Sequence, residues 1–297
     1  ELVDRITNKG VLPMITSCSP GWIKFCEHYY PEFLPNLSTC KSPHEMEGAM
    51  IKSYYAERAE IDPKDIVVVS VMPCTAKKFE AKRPELSNGG LPDVDVVITT
   101  RELARMIKEA NIDFNKLPDE EFDNMLGESS GASVIFGATG GVMEAALRTA
   151  YTLITGDELK DVNFTAVRGV DGIKEATVKI GDLDVSVAVA SSTSMAKKLL
   201  ESIKNGEKKY AFIEVMGCPG GCVNGGGQPI VDANTRAEVD IRTERAKALY
   251  NEDADKRIRK SHENPFVKEL YDTYLEKPGS HKAHHILHTT YVKRKVY

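Results

Sequence analysis

Three short apolar runs of this chain each end in a turn that carries cysteine beside proline. The runs are residues 11–16, 66–72 and 210–216, and the cysteines that follow them are Cys18, Cys74, and the pair Cys218 and Cys222. In open α/β sheets, ligands bind beyond the carboxyl ends of the strands, so three strands can deliver these cysteines to one crevice. Proline stiffens each turn, and soft thiolates on stiff loops indicate a metal or cluster site. The alternative is a set of unrelated buried cysteines that pack as small apolar side chains.

Strand and helix candidates alternate along the first two thirds of the chain. Further strands are predicted at 94–100, 164–170, 173–180 and 185–190, and helices at 21–30, 42–60, 101–110, 119–126, 140–155 and 194–205. The runs 66–72 and 210–216 are predominantly apolar, interrupted only by Ser70 and Glu214, and are typical of buried strands. The alternation predicts an α/β fold of parallel βαβ units. Residues 1–233 are assigned to this domain, and the charged residues 234–297 to a mostly helical C-terminal region that packs on it.

Composition excludes several classes of protein. With 39 Lys plus Arg against 44 Asp plus Glu, the formal net charge is −5, which argues against a broad nucleic-acid-binding surface. No apolar run approaches the ~20 residues of a membrane-spanning helix. Six cysteines in 297 residues are too few for a disulfide scaffold. The chain starts at Glu1 without a visible secretion signal, so we expect a cytoplasmic piece of a longer protein whose N-terminal residues are missing.

The last cysteine pair lies in the most specific segment, EVMGCPGGCVNGGGQP at residues 214–229. Its glycines remove side chains around Cys218 and Cys222, which permits close approach of the backbone to a bulky inorganic group. Their N–H groups can also bond to sulfur or anionic ligands and so tune the potential of a cluster. A flexible surface loop would contain glycines but has no need of the Cys-x3-Cys spacing.

Together with TSCSPGW at 16–22 and MPCTAKKFE at 72–80, this segment resembles the three signature segments of the FeFe hydrogenases. Their order and spacing are similar, and residues 259–291 look like the end of that family's catalytic domain. The resemblance implies two lobes, each with a mostly parallel sheet flanked by helices, and an H-cluster in the cleft between them. That cofactor is a 4Fe–4S cubane joined through one cysteine sulfur to a two-iron unit carrying CO, cyanide and azadithiolate.

The resemblance also implies roles for individual residues around this cofactor. Cys74, Cys218 and Cys222 would ligate the cubane, and Cys222 would also bridge to the two-iron unit. Lys77 would donate a hydrogen bond to a cyanide, because a compact cation suits an anionic ligand. Further residues would lie against the two-iron unit: Met72, Met216, Phe136, Gly137 and Pro43.

The same resemblance implies a path for protons. Cys18 would pass protons to the bridging amine, a task that favours a group whose pKa lies near the working pH. The surroundings of a thiol can supply such a shift. Ser38 and Glu1 match the next relay positions outward. Without the resemblance, Ser38 is equally well explained as a capping or turn serine.

One position departs from the family pattern, because Ser19 stands where the first motif usually has its second cysteine, the fourth cubane ligand. An oxygen ligand is harder than a thiolate and suits the cluster less well. Four interpretations stay open: Ser19 ligates through oxygen, Cys18 ligates instead at the expense of the relay, the cluster is labile with a shifted potential, or the protein senses hydrogen with low turnover. Cys26 is expected to pack in the core, and Cys40 is a less favoured ligand.

Histidines raise two further questions. His44 stands where catalytic members often carry glutamine, and a histidine there can donate a hydrogen bond and can titrate. Four histidines near the C-terminus have the i, i+4 spacing of a metal site: His281, His284, His285 and His288. No cysteine nearby in the sequence completes such a site, so surface or packing roles are expected for them. The acidic run at 119–122 is expected to be a solvated helix start.

The sequence therefore predicts an FeFe hydrogenase catalytic domain, an oxidoreductase that interconverts protons and H2 (2H⁺ + 2e⁻ ⇌ H₂). The cluster would supply the redox chemistry, and the protein its ligands, a dry pocket and a proton path. The implied partners are ferredoxin or a similar electron carrier, maturation proteins that deliver the two-iron unit, and additional hydrogenase subunits. The alternatives are a hydrogen-sensing or low-activity relative, favoured by Ser19, and an iron–sulfur assembly factor, disfavoured by Met72, Lys77 and the GGGQP run.

Overall fold

The computed structural model describes residues 1–170 and 172–296. Its largest sheet has four strands in the order β1 (Met14–Ile15), β8 (Phe212–Met216), β7 (Leu183–Ser191) and β6 (Ile173–Ile180). The first three run parallel, and β6 pairs antiparallel with β7. In this register Phe212 is the partner of both Met14 and Val187. Every residue of β8 is buried, as the sequence predicts for this strand.

A second, smaller sheet pairs β2 (Val69–Met72) with β5 (Val96–Thr99) in parallel. A short antiparallel hairpin, β3 (Ser87–Asn88) and β4 (Leu91–Pro92), lies between them in the chain. The prediction of full burial for residues 66–72 is wrong. Val69 and Val71 are 52% and 43% exposed, because alternate side chains of a strand point to opposite faces and in the described structure only the face of Ser70 and Met72 is covered.

Helices cover both faces of the larger sheet. On one face α2 (Pro20–Tyr29) and α9 (Thr193–Lys204) pack through a core that contains Trp22 and Ile213. On the other face α8 (Gly141–Thr155) packs through Met143 against Phe212. Successive residues of β8 thus enter opposite cores, as the two-residue period of a strand requires. Cys26 is fully buried in the first core, which confirms its predicted packing role.

The remaining helices are mostly short. They are α1 (Leu2–Thr7), α3 (Pro43–Met50), α4 (Ala56–Arg58), α5 (Lys77–Glu80), α6 (Thr100–Glu109), α7 (Gly131–Val134), α10 (Ala233–Glu238), α11 (Ile241–Asp255), α12 (Pro265–Leu270) and α13 (His281–Leu287). A π-helical turn, Ile51–Tyr55, makes α3 and α4 one continuous segment, as predicted for 42–60. The C-terminal helices pack on the rest of the chain, α11 on α7 and α13 on α3; the boundary at 233/234 stays a prediction. None of the helices in the described ranges combines the length and apolar character needed to cross a membrane.

Two predicted elements are not formed. Residues 119–126 have no regular structure, because Phe122 is 98% exposed and a short helix without a packed apolar face is unstable in water. Residues 164–170 form a 3₁₀ turn, Thr165–Val167, instead of a strand. There Arg168 donates to Glu144 of α8 at 2.7 Å, which draws this segment towards α8 rather than into the sheet.

A buried ion-pair network joins α8 to the C-terminal region. Arg148 donates to Glu144 at 2.7 Å and to both carboxylate oxygens of Asp253, in α11, at 2.8 and 2.9 Å. The side chains of these three residues have no exposed surface. Arg168 and Arg259 bond to Glu144 and Asp253 from the edge of the network. Every charge buried in this network therefore has an opposite partner, which is the condition for tolerating charges in a protein interior.

Candidate cluster-binding site

Main-chain contacts lock the second and third cysteine turns together. The amide of Gly227 donates to the carbonyl of Pro73 at 2.9 Å, and a Cβ on Gly225 would lie only 2.1 Å from that carbonyl oxygen. Cys74 follows Pro73 directly, so these contacts bring it towards the third turn. The thiolate charges of Cys74 and Cys222 interact electrostatically, which is consistent with their proximity.

The glycines of the third turn have a role that the sequence analysis did not anticipate. They were expected to clear space for an inorganic group, but protein backbone fills the space beside them. A Cβ on Gly221 would lie 2.7 Å from the amide nitrogen of Thr139, and one on Gly227 would lie 2.9 Å from the carbonyl carbon of Pro73. Real side chains do not tolerate such approaches. The glycines therefore hold three loops in contact and so set the positions of the cysteines.

Two neighbouring glycines test this role. Gly225 has an ordinary backbone φ of −64°, so Gly225→Ala introduces only the steric clash with Pro73. We expect a loss of roughly 1–3 kcal/mol of stability, as for other forced overpacking, and a lower iron content after cluster reconstitution. Gly226→Ala is the matched control, because its Cβ would meet nothing closer than the Thr75 hydroxyl at 3.3 Å. Thermal melting and iron analysis measure both effects, and equal behaviour of the two variants would contradict the steric explanation.

Ser19 reaches the same region from the first turn. It occupies the N-cap of α2, where serine hydroxyls normally accept a bond from the first helical turn, yet its side chain makes no capping bond. Instead its hydroxyl oxygen accepts a hydrogen bond from the amide of Gly217 at 3.1 Å. Gly217 immediately precedes Cys218. The carboxyl ends of β1, β2 and β8 thus bring together the residues predicted to hold a cubane: Ser19, Cys74, Cys218 and Cys222.

The electrostatics of these thiols favour a cation between them. Burial raises the pKa of Cys222 to about 11; the charge of Lys77 opposes this rise, and the thiolate charges of Cys74 and Cys218 reinforce it. Burial and the charge of Cys74 also raise the pKa of Cys218. Bound metal ions reverse this tendency, since a coordinating thiol is deprotonated outright. Three thiols and one hydroxyl form a donor set that fits an iron–sulfur cluster with one hard ligand.

Lys77 is held in place beside the first turn. Its ammonium group is buried and donates to the carbonyl oxygen of Cys18 at 3.0 Å and to a carboxylate oxygen of Glu80 at 2.7 Å. The sequence analysis did not single out Glu80. The sequence did contain a signal for this contact, because a carboxylate three residues after a lysine on a helix can form an ion pair with it.

His44 belongs to the same buried network. Its Nε2 lies 2.6 Å from Glu80, and its Nδ1 lies 3.0 Å from the hydroxyl of Ser70. Burial lowers the pKa of His44, but hydrogen bonds to Glu45 and Glu80 outweigh it, so the net shift is upward. Both ring nitrogens have protein partners in this structure, and a contact with a cofactor stays a prediction.

The five residues expected around the two-iron unit are spread over several elements. Met72 and Met216 end β2 and β8, and Met216 is buried. Phe136 and Gly137 lie on the 3₁₀ turn Ile135–Gly137, before α8. Pro43 is the first residue of α3. Two of them, Phe136 and Pro43, line a cavity of about 830 Å³ that also borders Cys18.

Part of the predicted proton relay is connected. The hydroxyl of Ser38 donates to Glu1 at 2.6 Å, and both Ser38 and Cys18 line the cavity described above. Arg5, which the sequence analysis missed despite its i, i+4 spacing from Glu1, pairs with that carboxylate at 2.6 Å. Burial raises the pKa of Cys18 to about 12 against the opposing charge of Lys77. This shift is away from the working pH, opposite to the expected direction, and it keeps the thiol protonated.

Cys40 and the C-terminal histidines occupy unexpected surroundings. His281, His284 and His285 are exposed, as predicted. His288, however, is half-buried and forms an isolated β-bridge with Cys40. No cysteine lies near these histidines in the sequence, but in the folded structure Cys40 lies beside His288.

Two family models match the chain. One describes the iron only hydrogenase large subunit, C-terminal domain, and matches residues 1–226. The other describes the iron hydrogenase small subunit and matches residues 239–294. The first model alone covers more than half of the chain.

Individual relatives agree with the family models. The chain is 55% identical over 284 residues to NADP-reducing hydrogenase subunit HndD of Solidesulfovibrio fructosivorans, covering 96% of this chain and 48% of that protein. It is 53% identical over 293 residues to Iron hydrogenase 1 of Clostridium pasteurianum, covering 99% of this chain and 51% of that protein. The chain thus spans about half the length of these relatives. A more distant relative is cytosolic iron-sulfur assembly component 3 of Rattus norvegicus. It is 32% identical, and the match covers 97% of this chain and 60% of that protein.

Solved structures show the same fold. The apo form of the FeFe-hydrogenase HydA1 from Chlamydomonas reinhardtii superposes with a TM-score of 0.85 at 45% identity, covering 99% of this chain and 80% of that one. This similarity also supports the predicted fold class of parallel sheets flanked by helices. The chain therefore belongs to the iron-only (FeFe) hydrogenase family and contains the domain that bears the H-cluster in that family.

Proposed function

We propose that this chain is the catalytic domain of an FeFe hydrogenase that interconverts protons and H2. The observation that supports the proposal is the meeting of three cysteine turns at the carboxyl ends of β1, β2 and β8. Membership of the family supports this arrangement as the place where the cofactor would bind. The activity of the whole protein is inferred, because the chain spans about half of its curated relatives.

The ligands follow from the donor set. In the proposal Cys74, Cys218 and Cys222 would hold the cubane as thiolates, and Ser19 would supply the fourth ligand through oxygen. Cys222 would also serve the two-iron unit. When bound, the H-cluster supplies the redox chemistry by which protons and electrons form H2. Lys77 remains a buried cation, fixed by its bonds to Glu80 and Cys18, and favours anionic ligands in a low-dielectric pocket.

The proposed proton path begins at Glu1. Burial raises the pKa of this carboxyl group, but hydrogen bonds from Ser38, Arg5 and Thr39 outweigh it and lower the pKa overall. Glu1 is therefore an ionised acceptor that takes protons from the exterior. The hydroxyl of Ser38 both donates and accepts, so it can pass a proton inward. Cys18 holds the innermost proton, which its buried thiol retains until it is donated.

The partners and location are also inferences. Residues 239–294 match a hydrogenase small subunit, which supports assembly as a hydrogenase. In the proposal the small-subunit part lies within this chain, and additional subunits would be separate proteins. Ferredoxin or a similar carrier is the proposed electron partner, and maturation proteins are the proposed source of the two-iron unit. A cytoplasmic location stays a prediction.

A hydrogen sensor is the second candidate function, and Ser19 is the observation that favours it. A harder ligand weakens the fit of the site to a soft cluster and would suit a protein that binds hydrogen with little turnover. An assembly-factor role is less supported, because those relatives are 32% identical, against 55% for the hydrogenase subunit.

The Ser19→Cys variant of the full-length, matured protein tests these functions. We expect the native protein to evolve H2, to show infrared CO and cyanide bands, and to lose iron to a chelator faster than Ser19→Cys does. The matched control is Ser17→Cys, because the Ser17 hydroxyl donates to the Cys40 carbonyl at 2.7 Å and lies outside the proposed ligand set. If only Ser19→Cys turns over, the native protein is a sensor or a disabled relative. If the native protein shows no CO or cyanide bands after maturation, the proposal of an H-cluster is wrong.

A further inference from the structure

A second group of metal-ligating side chains lies outside the cysteine turns. A carboxylate oxygen of Glu1, the sulfur of Cys40 and a ring nitrogen of His288 all lie within 4.8 Å of one another. The sulfur of Cys40 is 3.5 Å from Oε2 of Glu1. These residues stand at positions 1, 40 and 288 of the 297-residue sequence, so only the fold brings them together.

The backbone around two of these residues is firmly held. Cys40 and His288 are bridged in antiparallel orientation. On either side, the amide of Lys41 donates to the carbonyl of Leu287 at 2.9 Å, and the amide of Thr289 donates to the carbonyl of Thr39 at 2.7 Å. The backbone positions of Cys40 and His288 are therefore set before any ligand binds.

The imidazole also has a partner that orients it. The hydroxyl of Thr39 lies 2.7 Å from Nδ1 of His288, and His284 stacks on the same ring with 4.2 Å between ring centroids. Hydrogen bonds of this kind fix the ring orientation of metal-binding histidines. The ring that these two contacts hold belongs to the commonest metal-binding side chain in proteins.

The donor set selects the class of metal. Sulfur, nitrogen and carboxylate oxygen together suit a borderline cation such as Zn²⁺, whereas Mg²⁺ and Ca²⁺ prefer oxygen alone. Three protein ligands leave the fourth tetrahedral position for water. With bonds of about 2.0–2.3 Å, the donors need only small side-chain movements to close around the ion. Cys40 also lines the cavity of about 830 Å³, which gives ions a route to the group.

We propose that Glu1, Cys40 and His288 form a binding site for a single zinc-class divalent cation, separate from the cluster-binding site. Binding must displace the thiol proton of Cys40. Because a thiol binds zinc as the thiolate, the affinity for zinc increases with pH.

The consequence of binding rests on the proposed function. Oxygen Oε2 of Glu1 accepts the hydrogen bond of Ser38 at 2.6 Å, and this is the outer link of the proposed proton relay. Arg5 already pairs with the other oxygen, Oε1, so a zinc ion adds a second positive charge and takes up the oxygen that faces Ser38, which prevents Glu1 from accepting protons there. Zinc therefore inhibits H2 turnover by occupying the entrance of the relay, without displacing the H-cluster.

Zinc K-edge X-ray absorption on the full-length, cluster-loaded protein tests the site, because iron does not contribute to that signal. We expect one zinc per chain with a single sulfur neighbour at about 2.3 Å. Cys40→Ser removes the sulfur neighbour, and both Cys40→Ser and His288→Gln weaken zinc binding by at least about tenfold in calorimetric titration. The matched controls are Cys26→Ala, in the core, and the exposed His285→Gln, which retain native affinity.

The outcomes separate the site from the proposed function. Zinc without a sulfur neighbour, or unchanged affinity in Cys40→Ser, overturns the site. If zinc binds as described and inhibits H2 evolution of the native protein but not of Cys40→Ser, both the site and the relay are supported. If zinc binds as described and the protein shows no H2 turnover at all, the site stands and the proposed function fails. If zinc binds and turnover persists, the inhibitory consequence is wrong.

Discussion

Replacing Cys18 with alanine is expected to lower H2 evolution by roughly 10²–10⁴-fold, the range associated with loss of a proton-transfer group. Cys18 is half-buried and lines the cavity that also borders Ser38, and its partial burial raises the pKa of the thiol and keeps it protonated. Alanine removes the proton without adding bulk. The main-chain carbonyl of residue 18 remains, so the hydrogen bond that Lys77 makes to it is preserved.

The iron content of Cys18→Ala distinguishes two roles of this residue. In the proposed relay, the variant retains a native complement of iron and native CO and cyanide bands while its turnover falls. If Cys18 instead replaces Ser19 as the fourth cubane ligand, iron is lost together with activity. Cys26→Ala is the matched control, because Cys26 lies on α2 and packs in the core. This variant is expected to leave the turnover of each folded molecule unchanged. Full activity in Cys18→Ala would contradict the relay.

Replacing Arg148 with methionine is expected to cost about 3–5 kcal/mol of stability. The guanidinium of Arg148 bonds to Glu144 and Asp253, and none of the three side chains is exposed. Methionine has a similar length but no charge, so two carboxylates lose their central partner in a low-dielectric interior. Arg168 and Arg259 still pair with the two carboxylates, but only from the partly exposed edge of the network. The buried negative charges therefore lose the only fully buried cation between them, and removal of one member of a buried ion pair has an effect of this size.

Denaturant unfolding of the full-length protein measures this loss as a lower midpoint. Arg105→Met is the matched control, because Arg105 pairs with Glu109 on the surface, where the two side chains are 78% and 62% exposed. Exposed pairs contribute about 0–1 kcal/mol, so the control should unfold close to the native midpoint. Equal midpoints for the two variants would show that the network is not needed to hold α11 on α8.

The elements that sequence patterns predicted correctly have strong local signals. Strand β8 is apolar except for Glu214 and lies between β1 and β7 in the larger sheet. Helix α6 begins at a capping box, in which Thr99 and Glu102 satisfy each other's backbone amides. The two elements that do not form fail for different reasons. Residues 119–126 have no buried apolar face, whereas in 164–170 Val167 packs in the core from a 3₁₀ turn rather than from a strand. Local propensity decides little there, and tertiary contacts such as the Arg168–Glu144 bond decide the conformation.

The sequence by itself determined where the cysteines stand, because β-branched runs followed by proline turns place them at strand ends. It also determined the family, since three motifs in order leave little room for coincidence. Only the tertiary structure decided how the turns meet: the hydroxyl of Ser19 bonds to Gly217 instead of capping its helix, and the Pro73 carbonyl fills the space beside Gly225. The approach of Cys40 to His288 was equally invisible, because periodicity and turn chemistry report neighbours along the chain, whereas contacts between distant segments depend on how the whole chain closes.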